Sequence, residues 1–188
     1  MMSNNPNLEN VIEAQFHYLQ LKKELWFQQQ LFSYQWWFLL FLSIIPWFIW
    51  WKIMDKSRIH EILSFGMIIA ILSSIMDLIG ITYQSWFYPI KLHWTFSSPT
   101  APFDISLLPV VFMICYQYGD KWKSFIIGVL LLSSFFTLGE YIFKFLEIYK
   151  ENTWKSFYSL PIYSANAIFA RWVMLRLLLI QKGMNKRA

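Results

Sequence analysis

The sequence predicts an all-α protein: a polytopic membrane helical bundle with five transmembrane helices behind an N-terminal amphipathic helix. Three observations predict it. Of 188 residues, 57% are hydrophobic, 21% aromatic and only 14% charged, whereas a soluble domain carries about 25% charged residues. The apolar residues gather into runs near the ~20 residues that a bilayer core requires. Lys and Arg stand mainly at the ends of those runs, where membrane proteins set their orientation. The chain divides into residues 1–34, the amphipathic helix, and 35–188, the transmembrane domain, with no room for a large soluble one.

Residues 8–32 place Val11, Ile12, Phe16, Leu19, the Lys22 stem and Trp26 on one face, with Glu9, Glu13, Lys23 and Glu24 opposite. That pattern is expected of an interfacial helix leading into the first span. Residues 1–30 lack an early apolar core, so the first span is expected to act as its own insertion signal. That span is 36–54, "WWFLLFLSIIPWFIWWKIM", with Trp pairs at both ends and a kink expected at Pro46. The others are 62–83, 105–118, 125–145 and 157–180. The third is short and is expected to extend at both ends. Gly119 and Asp120 are expected to form a tight turn, with Gly supplying backbone freedom. Residues 84–104 hold Trp86, Tyr88, Pro89, His93, Trp94, Pro99 and Pro102. They read as an ordered non-helical cap, because proline fixes φ and removes donors.

The net charge of +5 needs no nucleic acid. One side collects Lys52, Lys56, Arg58, Lys121, Lys123, Lys182, Lys186 and Arg187, the other Lys22, Lys23, Lys91, Lys150 and Lys155. This bias predicts a multi-pass plasma-membrane protein with the N-terminus outside and the C-terminus, "MNKRA", cytoplasmic. The single cysteine, Cys115, excludes an intramolecular disulfide.

Ionisable residues inside the spans are the candidate functional groups. Ser73, Asp77, Gly80 and Gln84 recur at i, i+4, i+7 and i+11, one face of a helix. A polar stripe on an apolar helix faces protein or water rather than lipid, since a charge at the bilayer centre costs about 2.5–3.5 kcal/mol. Asp77 is therefore expected to face inward and share a polar cluster with Asp104 or Glu140. Glu140 and Lys144 have i, i+4 pair spacing, and Glu147 follows. Depth arithmetic places Arg171 within about 10 Å of the level of Glu140, which makes it the expected counter-charge to Glu140 or Asp77. Trp86 and Tyr88 from the cap would complete an outer pocket. The same groups also fit a structural network that fixes helix register.

No catalytic group can be named. His17, His60 and His93 lack ligand spacing, so no metal site is expected, and G-x-S-x-G, GxGxxG and P-loop patterns are absent. "DKSRIHE" reads as a polar turn with local ion pairs. The expectation is binding rather than catalysis, without a cofactor, through the outer pocket. Its partners would be membrane lipids, another membrane protein or a second copy. The alternatives are a lipid- or isoprenoid-modifying enzyme using Asp77 or Asp104 as acid, and an ion- or proton-coupled carrier through Glu140 and Arg171. The lack of an internal repeat argues against the carrier.

The stretches "QWWFLL", "PWFIWWKIMDKSRIHEILSFG", "MDLIG", "YPIKL", "PFDISLLPVVFMICYQY", "KWKSFIIG" and "NTWKSFYSLPIY" occur in that order from Gln35 onward. In them the chain resembles an uncharacterised family of small multi-pass membrane proteins of Gram-positive endospore formers. The resemblance implies a bacterial plasma membrane and no particular activity. A weaker echo is of membrane carotene-cyclase domains, which pair an Asp before Trp-x-Tyr with a downstream Pro-x-Glu-Glu. Asp77, Trp86-Phe87-Tyr88 and Pro102-Phe103-Asp104 follow that order, but Ile105 replaces the second carboxylate.

Overall fold

The computed structural model describes residues 7–96 and 102–185. The expectations for Pro99, Lys186 and Arg187 lie outside the described residues. Six helices account for nearly all the regular structure: α1 Leu8–Leu25, α2 Tyr34–Ile53, α3 Ile59–Thr82, α4 Leu108–Tyr118, α5 Trp122–Phe145 and α6 Ser159–Asn185. The all-α class holds. A two-residue antiparallel ladder, β1 Trp86–Phe87 with β2 Lys150–Glu151, is the small addition.

Asn7 caps α1 by accepting from the Asn10 N–H at 2.8 Å, and no residue of α1 is buried. The chain then tightens into a π-helical turn, Trp26–Gln30, that buries both Trp26 and Gln30. Phe32 takes a left-handed φ of 62° to reverse direction, and Ser33 caps α2. Pro46 lies inside α2 and is buried. It offers no N–H to the Leu42 carbonyl, which loosens that turn. One residue along, the Ser43 carbonyl accepts from Ser106 Oγ at 2.7 Å.

Among the described residues four helices are long and apolar enough to cross a membrane: Tyr34–Ile53, Lys56–Thr82, Trp122–Phe145 and Ser156–Gly183. Their outward faces are as apolar as their inward ones; Phe48, Leu131, Phe135, Leu138 and Leu179 are all exposed. The third expected span does not extend as predicted. Phe103–Tyr118 is a single short apolar segment, a π-helical turn Phe103–Leu107 running into α4. At 1.5 Å per residue it is about 24 Å long, short of the ~30 Å hydrocarbon thickness. Burial compensates. Leu108, Pro109, Val110, Phe112, Met113, Tyr116 and Gln117 are all enclosed by neighbouring helices, and backbone at membrane depth needs no lipid match where protein surrounds it.

The apolar core lies among α3, α4, α5 and α6. Phe65 stacks on Tyr116 with ring centroids 4.4 Å apart, and Phe125 meets both edge-on. Ser164 Oγ on α6 donates to Ser133 Oγ on α5 at 3.0 Å, a small polar contact that lets the two helices approach closely.

Two glutamine amides close the two ends of the bundle. Gln117 Nε2 donates to the Ile53 carbonyl and its Oε1 accepts from the Asp55 N–H, both at 2.9 Å. Gln30 does the same at the capped end, donating to the Pro89 carbonyl and accepting from the Lys91 N–H. Trp26 and Trp36 donate to the carbonyls of Lys91 and Leu92. The described part of the cap is thus an ordered segment, tied down by the junction of α1 and α2.

Candidate functional site

α3 and α5 end alike. Gln84 (φ 54°) and Glu147 (φ 58°) take the left-handed position just past each helix. Ser85 N–H then returns to the Gly80 carbonyl, and Ile148 N–H to the Phe143 carbonyl, the six-to-one closure of a Schellman cap. Both chains leave their helices at the same level and pair as β1 and β2. This ladder aims Trp86 back across α3. Its indole lies over Gly80 so closely that a Cβ there would stand 1.9 Å from the ring.

Beneath the ladder is a cavity of about 270 Å³, into which Asp77, Asp104 and Glu140 all face. Their relative exposures of 7%, 4% and 9% make them core residues. Asp77 Oδ1 accepts from Trp86 Nε1 at 2.9 Å and from Tyr88 Oη at 2.8 Å. Glu140 Oε1 accepts from Tyr163 Oη at 2.9 Å. Ser73 Oγ bonds the Ile69 carbonyl at 2.9 Å and also reaches the Asp104 carbonyl at 3.3 Å, fastening α3 to the start of the short segment. Burial, then the neighbouring Asp77, holds the Tyr88 phenol well above its usual range, so Tyr88 remains a donor.

Five of the seven residues singled out in the sequence therefore meet: Asp77, Asp104, Glu140, Trp86 and Tyr88 line one cavity. Gln84 does not. α3 stops at Thr82, and as the cap residue Gln84 turns out of the stripe and is exposed. Arg171 does not either, and it is no counter-charge to Asp77 or Glu140. It is 5% exposed and donates through Nη1 to the Gly119 carbonyl and through Nη2 to the Asp120 carbonyl, the latter at 2.6 Å. Its guanidinium lies 4.4 Å from the Phe125 ring centroid and 5.0 Å from that of Trp122. The turn after the third segment, with Gly119 buried and Asp120 exposed, offers the carbonyls that take the Arg171 donors.

The expected Glu140–Lys144 pair is not formed. Past the left-handed Glu147 the chain doubles back, and β2 brings Glu151 Oε1 to 2.8 Å from Lys144 Nζ. The Arg58–Glu61 pair expected in "DKSRIHE" is present at 2.9 Å, and Tyr116 Oη adds a second donor to Glu61. Gly119 makes its turn with φ −93°, so the glycine serves space rather than a left-handed backbone. A Cβ there would stand 2.7 Å from the Cys115 carbonyl.

Sequence reasoning missed the α6 wall. Ser159, Tyr163 and Asn166 all line the cavity and follow one another at i, i+4 and i+7, the same stripe that reveals Asp77. It also missed Tyr149 and Trp154, which lie in the loop between α5 and α6 and have no periodicity to betray them. A second depression, about 570 Å³, lies between α1 and the cap and is lined by Tyr18, Lys22, Trp26, Lys91 and Trp94. Burial, then the charge of Lys22, draws the Lys91 ammonium down to about 8.

The chain matches no protein-family model, no curated protein and no solved structure. What can be said of function rests on the cavity.

Proposed function

We propose that the chain is a five-pass integral protein of a bacterial plasma membrane, N-terminus outside, that binds a lipid-like amphiphile in the cavity under the β1–β2 ladder. One observation carries this reading: the cavity joins a polar interior to an apolar, exposed rim. Asp77, Asp104 and Glu140 line the inside, while Met76, Ile79 and Tyr83 line it and are also exposed on the outer face of α3. A ligand entering sideways from the bilayer keeps its chain over Met76 and Ile79 and delivers its head to the acids. The volume of about 270 Å³ fits a head group rather than a whole lipid, since pockets that enclose whole drug-sized ligands run from about 300 to 1,000 Å³.

The test is native mass spectrometry and lipid extraction of the purified wild type against Asp104→Asn. The expected result is a bound amphiphile that co-purifies with the wild type and is depleted in the variant. An equal lipid profile in the two would defeat the reading. A second reading, an isoprenoid- or lipid-modifying enzyme with Asp104 as acid, is favoured by the apolar aromatic wall that Phe103, Phe136 and Phe143 give the cavity. A water-poor wall of this kind suits proton donation to an apolar substrate. Under that reading, incubation with membrane lipid extracts yields an altered lipid, lost in Asp104→Asn.

A further inference from the structure

The cavity has three carboxyl groups and no Lys, Arg or His among its lining residues. Lys144 pairs with Glu151 and Arg171 binds the Gly119 turn, and Lys91, whose charge is felt by Asp77, lies in the cap outside the lining. Two acid oxygens, Asp104 Oδ2 and Glu140 Oε2, are buried with no hydrogen-bond partner among the described residues. The residues that carry them come from different helical segments and line the same cavity. Buried acceptors of this kind are expensive to leave unmade, and a buried carboxylate needs a partner of opposite charge or a proton. The remaining wall joins aliphatic and small polar residues to rings, Trp86, Trp154 and Tyr163 among them. Ring faces attract cations and give nothing to an anion.

Resting on the reading of this cavity as an amphiphile site, we infer that its ligand carries a protonated amine head, whose N–H groups donate to Asp104 and Glu140. The two orphan oxygens require donors, so a primary or secondary ammonium fits better than a quaternary one, which has none. An anionic head, such as a phosphate or a carboxylate, would meet three carboxyl groups and no cation among the lining residues.

The probes are dodecylammonium and dodecanol, which share a chain and differ in the head. Binding is read by tryptophan fluorescence and native mass spectrometry, with the full chain in nanodiscs of phosphatidylcholine and empty discs as the partition control. The wild type is expected to prefer dodecylammonium at least tenfold. Asp104→Asn and Glu140→Gln are each expected to remove most of that preference; thermal unfolding confirms that each variant is folded. If dodecanol binds the wild type as tightly as dodecylammonium, the amine head is overturned while the amphiphile site stands. If neither chain binds above the empty discs, both fall. The comparison within the wild type depends on no variant, so a misfolded substitution leaves the inference open to refutation.

Discussion

At the end of the bundle that holds the Gly119 turn, buried polar groups meet one another. Gln117 clamps the α2–α3 turn, Tyr116 and Arg58 share Glu61, and Arg171 holds two carbonyls. At the capped end, the Asp104 and Glu140 carboxyls each leave an oxygen facing a cavity. Both ends bury ionisable groups in apolar surroundings; at the Gly119 end the Arg171 Nη groups find carbonyls, although Arg171 Nε has no partner among the described residues, while at the capped end the unpartnered carboxyl oxygens belong to residues that line a cavity. Where side chains complete each other, the polar groups hold the fold; where they converge on empty space, they wait for something from outside. A buried charge is therefore best read by what it faces rather than by its presence.

The largest expected effect lies at the Gly119 end. Arg171→Met keeps the stem and removes the donors, leaving the Gly119 and Asp120 carbonyls buried without them. The expected loss is about 2–4 kcal/mol, from two stranded acceptors, read by thermal or denaturant unfolding in detergent. Asp104→Asn, at the open end, is expected to keep or raise stability, since it removes a buried acid whose burial is costly. Equal losses in the two variants would erase the distinction.

A smaller effect sharpens it. Gly80→Ala puts a methyl where the Trp86 indole lies, and overpacking of this kind costs about 1–3 kcal/mol. It is also expected to lift Trp86 off Asp77, opening the cavity to solvent and shifting indole emission to the red. An unshifted spectrum would mean that the ladder, not the glycine, positions the ring.

The smallest is a pH effect beside the second depression. Folded Lys91 titrates at about 8, below the ~10.4 of an unfolded lysine. Below pH 8 the ammonium is charged in both states, and burying it works against the fold. Between those values the unfolded chain binds more protons, so stability rises with pH and levels off above the unfolded value. The gain is about 1 kcal/mol, the full shift discounted for partial exposure. Melting curves of wild type minus Lys91→Gln between pH 7 and 10.5 should show it; a flat difference would refute it.

Most of the bundle was legible because helical period and apolar length leave little choice. The stripe of Ser73, Gly80 and Gln84 places Asp77 inward, and burial agrees for Ser73, Asp77 and Gly80 but not for Gln84. The partners of the charges were not legible. Lys144 is one helical turn from Glu140, and local spacing cannot reveal that a left-handed Glu147 brings Glu151 closer. Depth arithmetic gives the level of Arg171 and not the direction of its side chain, which reaches the Gly119 turn instead of Glu140. The cap tethers were hidden for a different reason. Trp26, Gln30 and Trp36 bind backbone carbonyls about 60 residues away, and a carbonyl leaves no mark on the sequence.

The bond from Arg171 to the Gly119 turn spans 52 positions, and this imposes an order on biosynthesis. The turn is made and inserted first, and its inward carbonyls have no guanidinium until α6 emerges. At about 5–20 residues per second that interval lasts roughly 3–10 s. During it, the Gly119 carbonyl waits for its donor. The last helix to be translated therefore acts as the lock on the assembly, and a chain that stops before residue 171 lacks the donors that close the turn.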